Sequence, residues 1–412
     1  MRANISRPKL WLSIPRITHT ELVHLKMGAN DWVDEGGIDE PEYDKDVIVG
    51  DFDTIPVIDV DGILSDDLAK RREVAEKVRD ACMRVGFFYI ENHGIPEQLV
   101  QGAFEWARKF FSLPFEKKME VYIDNQFNFR GYTPLHGSGR PGPDGKGNAN
   151  EAFDWGHSPK LNDDPDEQFR DPYMRGENVW PTDMSGFEAH LSTYYRTLRA
   201  FCRSLAKCMA LSLHLPETFF DPYITHPGCS AVLAHYPPQT KDSASRGLDA
   251  HTDAECKHIS HPPISIAQQS LTQRPEVFTV LAPGSVRALE VANRQGQWIS
   301  APPRPGTFIV NVGDQLQAMT NNFYVSTRHR VMNYTGQERY SIPFFFSANW
   351  ETVIQPLPEL VAQGDDGKQG SGFPHISAGK MYKDMMIALH RVSANNPELV
   401  KWRRAFVQPL ES

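Results

Sequence analysis

The sequence predicts a mainly β protein, with an antiparallel sandwich or barrel core and flanking α-helices. The second half of the 412-residue chain contains short apolar or alternating runs separated by turn residues, which is typical of antiparallel sheets. The first half contains long segments with apolar residues three and four positions apart, which predicts amphipathic helices. No apolar run approaches the roughly 18 to 20 residues of a membrane-spanning helix, so we expect no membrane partner.

The N-terminal part of the chain is acidic. Residues 31–53 contain ten acidic residues and one basic residue, Lys45, and the rest of the chain has equal numbers of both. Such a run is most often a solvated arm, so residues 1–54 are interpreted as an N-terminal extension. No basic stripe balances this acidity, and we therefore expect no nucleic-acid partner.

Residues 55–228 are interpreted as a helical region, because apolar stripes and turn residues alternate along them. The predicted helices are 66–84, 96–113 and 185–214, the predicted strands are 55–60 and 87–91, and a loop rich in Gly and Pro is predicted at 131–147.

Residues 229–357 are predicted to form the β core, and residues 358–412 a C-terminal helical region. The predicted strands are 231–236, 248–253, 278–281, 288–291, 307–312, 329–332 and 339–346, and the last predicted helix is 380–391.

The five cysteines indicate a reducing compartment. Their number is odd, no two of them are spaced C-x-x-C, and a chain of this length needs no disulfides for stability. The sequence also shows no apolar stretch typical of a secretory signal. We expect a cytoplasmic monomer.

Three residues of the β half form a candidate metal site. His251 and Asp253 are two positions apart on a predicted strand, so they project from the same face. His329 lies on a later predicted strand and supplies a third ligand. Two His and one carboxylate on one face of an octahedron leave three positions open, as in non-haem Fe(II) oxygenases. Each motif alone is unspecific, because H-x-D arises by chance and strand histidines are usually core residues.

A second pair follows ten residues after His329. Arg339 and Ser341 are again two positions apart on a predicted strand, and a guanidinium beside a hydroxyl suits bidentate capture of a carboxylate. The order H-x-D, then H-R-V, then R-x-S is far more specific than any one of these motifs.

Further motifs extend this order along residues 55–357. They are IPVID at 55–59, GFFY at 86–89, NHGIP at 92–96, FFSLP at 110–114, YPP at 236–238, GLDAHTD at 247–253, NVGD at 311–314, HRV at 329–331 and RYSIP at 339–343. The chain resembles the Fe(II)/2-oxoglutarate-dependent dioxygenases of the isopenicillin N synthase-like superfamily, particularly the fungal members. This resemblance implies a double-stranded β-helix, or jelly roll, flanked by helices.

The resemblance also implies roles for the motif residues. His251, Asp253 and His329 match the iron ligands, and Arg339 and Ser341 match the pair that binds the distal carboxylate of 2-oxoglutarate. Tyr236 matches a family Tyr that supports the same cosubstrate, although Ala234 replaces an Asn found in many members.

The implied reaction is hydroxylation, desaturation or ring closure of a small organic substrate in specialised metabolism. O2 would be consumed, succinate and CO2 released, and ascorbate would support the iron. Two alternatives stay open: an oxidase like isopenicillin N synthase, which needs no 2-oxoglutarate, and an inactive jelly-roll binding protein. Arg339 and Ser341 do not exclude the oxidase, which also binds a substrate carboxylate.

One segment departs from the family pattern. Joining Cys256 directly to Phe278 would restore an ordinary family sequence, so the 21 residues 257–277 are interpreted as an insertion. They are either a functional lid beside the metal or a translated intron retained in frame, and we favour the intron.

Overall fold

The computed structural model describes residues 51–126, 128–139, 146–158, 161, 176–240, 247–252, 276–361 and 375–393. All described residues belong to one compact unit, Asp44–Ser412. No described helix is long and apolar enough to cross a membrane.

In the sequence, helices lie both before and after the β core. The helices are α1 (Leu68–Arg84), α2 (Glu97–Phe111), α3 (Phe115–Met119), α4 (Phe187–Ser212), α5 (Asp314–Met319), α6 (Pro358–Val361) and α7 (Ala378–Ser393). The strands are β1 (Val57–Asp59), β2 (Phe87–Glu91), β3 (Gly131–Thr133), β4 (Glu151–Gly156), β5 (Ser230–Tyr236), β6 (Leu248–His251), β7 (Phe278–Ala282), β8 (Leu289–Ala292), β9 (Trp298–Ser300), β10 (Phe308–Val312), β11 (His329–Val331), β12 (Arg339–Phe346), β13 (Val353–Ile354) and β14 (Ile376–Ser377).

The three long helices occupy the segments in which the sequence shows apolar stripes. Helix α1 begins after Asp67, whose carboxylate accepts a hydrogen bond from the Ala69 amide at 2.9 Å, and such a cap satisfies one of the free N–H groups of the first turn. Its stripe of Val74, Val78 and Cys82 is buried, and the helix packs against α4. The predicted helices at 66–84, 96–113 and 185–214 are confirmed within three residues at each end.

Two sheets form the β core. The large sheet has the order β1-β2-β10-β7-β12-β5-β4-β3 and the small sheet the order β6-β11-β8-β9; every pairing except β1 with β2 is antiparallel. The predicted antiparallel sandwich is confirmed. A further pair, β13 and β14, stands apart.

The central strands of the large sheet have one face toward the helices and one toward the small sheet. In β2, Phe88 belongs to the apolar cluster that includes the helices, whereas Phe87 belongs to a second cluster together with Val291 and Val331 of the small sheet. Alternate residues of a strand point to opposite faces, so the second cluster marks the interior between the sheets.

Strands β3, β4, β9, β13 and β14 were not predicted. Strand β3 has three residues and lies in the segment interpreted as a Gly- and Pro-rich loop, and β4 is buried along its whole length, so neither presents a long alternating pattern. Strand β6 ends at His251, two residues before the predicted end.

The predicted insertion 257–277 lies outside the described residues, except for its last two. Glu276 and Val277 are buried, and the Val277 amide donates to the Phe346 carbonyl at 2.9 Å while its carbonyl accepts from Gly313 at 3.0 Å. These two residues therefore lead into β7 rather than loop outward, because their backbone groups complete the sheet.

Candidate active site

Two of the three predicted metal ligands lie side by side on the small sheet. His251 ends β6 and His329 begins β11, and the two residues are direct partners in the antiparallel pairing of these strands. Their ring centroids are 4.2 Å apart, and both side chains are buried. The structure thus brings together two histidines that are far apart in the sequence.

Backbone carbonyls orient both imidazoles. Nδ1 of His251 donates to the Asp249 carbonyl at 2.6 Å, and Nδ1 of His329 donates to the Thr327 carbonyl at 3.1 Å. A carbonyl only accepts, so the proton lies on Nδ1 and the lone pair on Nε2. Burial, followed by the neighbouring His329, lowers the pKa of His251 well below its usual range, which keeps this ring in the neutral form that binds metals.

The third predicted ligand, Asp253, lies outside the described residues. The neighbouring Thr252 is described, and its hydroxyl donates to Asp314 Oδ2 at 3.4 Å. Within the described ranges, no group of three His, Cys, Asp or Glu side chains is arranged to hold a metal ion.

The predicted cosubstrate residues lie together on the large sheet. Arg339 begins β12 opposite Tyr236 at the end of β5, and Ser341 lies opposite Ala234. Nη1 of Arg339 donates to Ser341 Oγ at 3.1 Å, and the guanidinium carbon is 4.7 Å from the centroid of the Tyr236 ring. The strand register thus holds the guanidinium between an aromatic face and a hydroxyl.

Arg339 has the properties of an anion-binding residue. It is 1% exposed, and its Nε has no hydrogen-bond partner among the described residues. Burial lowers the pKa of this guanidinium, and Tyr236 partly opposes the shift; arginine nevertheless stays charged in proteins. A buried cation with an unsatisfied N–H fits the carboxylate of a ligand, so these residues suit 2-oxoglutarate.

Sequence comparisons agree with this arrangement. The profile described as non-haem dioxygenase in morphine synthesis N-terminal matches residues 55–183, and that of the 2OG-Fe(II) oxygenase superfamily matches residues 269–348. The 2-oxoglutarate-Fe(II) type oxidoreductase ppzC of Metarhizium majus (strain ARSEF 297) is 33% identical over 322 residues, covering 76% of this chain and 82% of that protein. The chain belongs to the 2-oxoglutarate–Fe(II) oxygenase superfamily.

Other comparisons with this oxygenase support the same family and the fold. The homoarginine-6-hydroxylase 2-ODD-233 of Oryza sativa subsp. japonica is 31% identical over 319 residues, covering 74% of this chain and 89% of that protein. The crystal structure of a full-length Neurospora crassa protein in complex with alpha-KG is 23% identical with a TM-score of 0.66, covering 83% of this chain and 99% of that chain. The predicted jelly-roll fold is confirmed.

The family also defines the reaction class. The oxygenase is a 2-oxoglutarate-dependent dioxygenase that uses Fe(II), 2-oxoglutarate and O2 to oxidise a small molecule, as predicted. Bound Fe(II), together with 2-oxoglutarate and O2, supplies the oxidising power for attack on a C–H bond. The chain itself orients the imidazoles of His251 and His329, places the buried guanidinium of Arg339 beside Ser341, and lines the interior with apolar side chains, which exclude water.

The oxygenase also contains a row of side chains that the sequence did not reveal. Phe87, Asn311, Thr279, Phe345, Ser230 and Gly156 are successive cross-strand partners on β2, β10, β7, β12, β5 and β4. We call them the inner-face row. At one end, the Phe87 ring lies edge-on to His329 at 5.0 Å, so the row begins beside one of the two paired histidines. Sequence patterns did not find it, because the strand register is not encoded locally.

Proposed function

We propose that His251, Asp253 and His329 hold Fe(II) in this dioxygenase. The observation that carries the proposal is the cross-strand pairing of the two histidines, with both Nδ1 protons donated to backbone carbonyls. Asp253 follows His251 by two residues and would supply the carboxylate. Such a facial triad leaves positions for 2-oxoglutarate and O2, and the carbonyls that accept from Nδ1 fix the orientation of the two imidazoles.

The same proposal assigns 2-oxoglutarate to Arg339, Ser341 and Tyr236. The unsatisfied Nε of Arg339 supports an anion at this place, and Ser341 offers a hydroxyl beside it. Ala234 lies opposite Ser341, and its methyl group offers no hydrogen bond to the cosubstrate. The apolar cluster between the sheets includes Tyr236, so the cosubstrate would lie in a dry environment, where charge-assisted hydrogen bonds are strong.

An anaerobic titration tests these assignments. Apo-protein receives Fe(II) and then 2-oxoglutarate while the visible metal-to-ligand charge-transfer band is recorded. We expect the band in the wild type, its loss when a metal ligand is replaced, and a shift to higher 2-oxoglutarate concentration when Arg339 is replaced. Iron binding without the band would point to the oxidase that needs no 2-oxoglutarate. The absence of both iron binding and the band would point to the inactive binding protein.

The biological setting is also a proposal. We propose hydroxylation as the default outcome, in agreement with the homoarginine-6-hydroxylase name of one relative, and a pathway of specialised metabolism from the family resemblance. A cytoplasmic location is supported by four buried free cysteines, Cys82, Cys202, Cys208 and Cys229. We also propose a monomer without nucleic-acid partners, because no basic stripe balances the acidic residues of the sequence. Fractionation and light scattering test these points.

A further inference from the structure

A buried histidine lies behind the proposed 2-oxoglutarate anchor, on the side of the large sheet that faces the helices. His235 directly precedes Tyr236 on β5, and its cross-strand partner on β12 is Tyr340, which follows Arg339. Alternate residues of a strand point to opposite faces. His235 and Tyr340 therefore lie on the face opposite Tyr236 and Arg339, and the assignments to iron and 2-oxoglutarate use neither of them.

Aromatic rings enclose the imidazole of His235. The Tyr340 ring is stacked on it, with the ring centroids 4.7 Å apart and an angle of 14° between the planes. The Phe111 ring of α2 lies against it at a centroid distance of 5.3 Å. Only 8% of His235 is exposed. These contacts fix the plane of the imidazole, so its two nitrogen atoms point in defined directions.

A carboxylate lies at each of these nitrogen atoms. Nδ1 of His235 is 2.8 Å from Glu151 Oε1 on β4, and Nε2 is 3.5 Å from Glu338 Oε1, just before β12. A carboxylate only accepts hydrogen bonds, so Nδ1 carries a proton and donates it to Glu151. Nε2 is buried and has no hydrogen-bond partner among the described residues. In the neutral imidazole it presents a lone pair to Glu338, and protonation would replace this lone pair by a donor N–H.

The charges around His235 are uneven while the imidazole is neutral. The surrounding titratable and charged groups are Glu151 of β4, Glu338 and Tyr340 of β12, Lys118 of α3, Tyr132 of β3 and Arg108 of α2. Lys118 Nζ donates to Glu151 Oε2 at 2.7 Å, so this carboxylate has a cation of its own. Glu338 forms no ion pair with a Lys or Arg in the described part of the chain. A proton on His235 would supply the missing cation.

Tyr340 is a neutral partner in this group. Burial, followed by the charge of Glu338, raises the pKa of Tyr340 to about 12, and Arg108 partly opposes the shift. The phenol therefore keeps its proton at neutral pH, and its hydroxyl donates a long hydrogen bond to Glu338 Oε2 at 3.5 Å. Of the nearby groups, His235 is the one whose charge ordinarily changes between about pH 5 and 8.

The two β12 residues that contact His235 flank Arg339 in the sequence. Glu338 precedes Arg339 and Tyr340 follows it, so an attraction from protonated His235 holds the backbone on both sides of this arginine. The Arg339 guanidinium is in turn held between Ser341 and the Tyr236 ring on the opposite face. A binding group whose position is fixed in advance binds its ligand at a lower free-energy cost.

We propose that His235 is a positioning residue whose protonation fixes the start of β12 and thereby strengthens 2-oxoglutarate binding at Arg339 as the pH falls from about 8 to about 6. This inference rests on the proposed function, because it describes the regulation of that same site. By thermodynamic linkage, bound 2-oxoglutarate must in turn favour the protonated form of His235. The affinity of the oxygenase for its cosubstrate then depends on pH through a residue that does not touch the cosubstrate.

The affinity for 2-oxoglutarate at two pH values tests the proposal. Protein loaded anaerobically with Fe(II) is titrated with 2-oxoglutarate at about pH 6 and about pH 8, and the charge-transfer band is recorded. We expect a dissociation constant about two- to fivefold higher at the upper pH, the range of a partly exposed ion pair. Glu338→Gln removes the charge, and His235→Asn keeps an N–H donor but cannot take up a proton. Both variants should lose the pH dependence, whereas Glu359→Gln, an exposed control on α6, should retain it.

Two further readouts separate positioning from a purely structural role. Iron affinity depends on pH through its own ligands, and it should be the same in the wild type and both variants. In protein loaded with diamagnetic Zn(II), the histidine NMR signal that His235→Asn removes should titrate at a higher pH when 2-oxoglutarate is bound.

Three results would overturn the proposal: a pH dependence that persists in both variants, a parallel loss of iron affinity, or a titration that 2-oxoglutarate does not move. An intact band with a pH-independent affinity in the wild type would overturn this inference alone. Absence of the band from the wild type would overturn the proposed function with it.

Discussion

At the scale of single residues, the site depends on side chains whose chemical state is set by their surroundings. The imidazoles of His251 and His329 have their protons fixed on Nδ1 by carbonyls of residues two positions earlier. The Nε of Arg339 is a buried donor without a hydrogen-bond partner among the described residues. The orientation of each group is therefore fixed before a ligand binds. Such preorganisation lowers the free-energy cost of binding.

The metal assignment makes the first prediction. His251→Ala, Asp253→Ala and His329→Ala should each remove most of the iron while leaving the fold intact, because a two-ligand site competes poorly with water. Iron content after gel filtration and circular dichroism check this outcome. His226→Ala is a matched control, since His226 interacts with Glu351 away from the small sheet. Equal iron content in all variants would refute the assignment.

The assignment of Arg339 to 2-oxoglutarate binding makes the second prediction. Arg339→Gln should raise the 2-oxoglutarate concentration required for half-saturation about ten- to a hundredfold, because a charge-assisted contact contributes roughly 1.5 to 3 kcal/mol. Iron affinity should stay near the wild-type value. Isothermal titration with each ligand measures both quantities. A variant that loses iron and keeps its 2-oxoglutarate affinity would show that Arg339 has been misplaced.

At the scale of strands and helices, the register of the paired strands brings residues from separate short motifs together in one site. The sequence alone predicted the residues of H-x-D, H-R-V and R-x-S, since each motif is local, and also the long helices. It did not predict that Ser230 and Phe345 are neighbours or that Gly156 makes room for the guanidinium of Arg130, which directly precedes β3. Those relations depend on which strands pair and where, and this is decided by non-local packing.

Glu151 on β4 links several elements and carries the third prediction. Its carboxylate accepts from Lys118 Nζ at 2.7 Å and from Tyr132, and contacts His235 Nδ1 at 2.8 Å. Glu151→Gln should reduce the free energy of unfolding by about 3 to 5 kcal/mol, because Lys118 becomes an uncompensated buried charge. Denaturant unfolding measures this change in the free energy of unfolding. Glu338→Gln, an exposed carboxylate near His235, should cost less than about 1 kcal/mol.

The same carboxylate gives this prediction a pH dependence. Burial raises the pKa of Glu151, but hydrogen bonds from His235, Lys118 and Tyr132 outweigh it, so the pKa lies below its ordinary value of 4.5. A lowered pKa contributes stability above the unfolded-state value and loses it as the pH falls through the folded-state value. The difference between wild type and Glu151→Gln should therefore shrink below about pH 4.5. A constant difference down to about pH 3 would contradict the ion pairing.

The interpretation of residues 257–277 makes the fourth prediction. Joining Cys256 to Phe278 places Glu255 and Cys256 where Glu276 and Val277 now lie. The backbone hydrogen bonds made there can be supplied by any residue except proline. The shortened protein should fold at least as stably and bind Fe(II) at least as tightly. Thermal melting and iron titration compare the two.

A second deletion controls for this replacement. Removing only residues 257–275 keeps Glu276 and Val277, so it separates loss of the segment from the change of strand residues. If both shortened proteins lose iron or activity, the segment is a functional lid and the intron interpretation is wrong.

At the scale of the whole molecule, two apolar clusters divide the interior. One joins the helices to the outer face of the large sheet, and the other lies between the sheets around the site. Four cysteines, Cys82, Cys202, Cys208 and Cys229, belong to the first. Burial raises the pKa of each thiol, which makes all four unreactive while the helices stay packed.

These thiols make the fifth prediction. In a Cys256→Ser variant, which removes the one cysteine outside the described residues, a thiol reagent at about pH 8 should label no cysteine of the native protein. All four should react once guanidinium unfolds it, at the rate of global unfolding, because each is enclosed by the same cluster. Time-resolved labelling with mass spectrometry follows this. Fast labelling of Cys202 or Cys229 without denaturant would mean that the helices open independently of the core.

The inner-face row has a consequence for directed evolution. Thr279, Phe345 and Ser230 face the interior, yet none of them is among the residues assigned to iron or 2-oxoglutarate. Interior positions tolerate changes of side-chain size when the total volume is conserved. A combinatorial library at these three positions should therefore change which substrates the enzyme accepts, while the residues assigned to iron and 2-oxoglutarate stay unchanged. The inner-face row is for this reason a suitable target for engineering new biocatalysts.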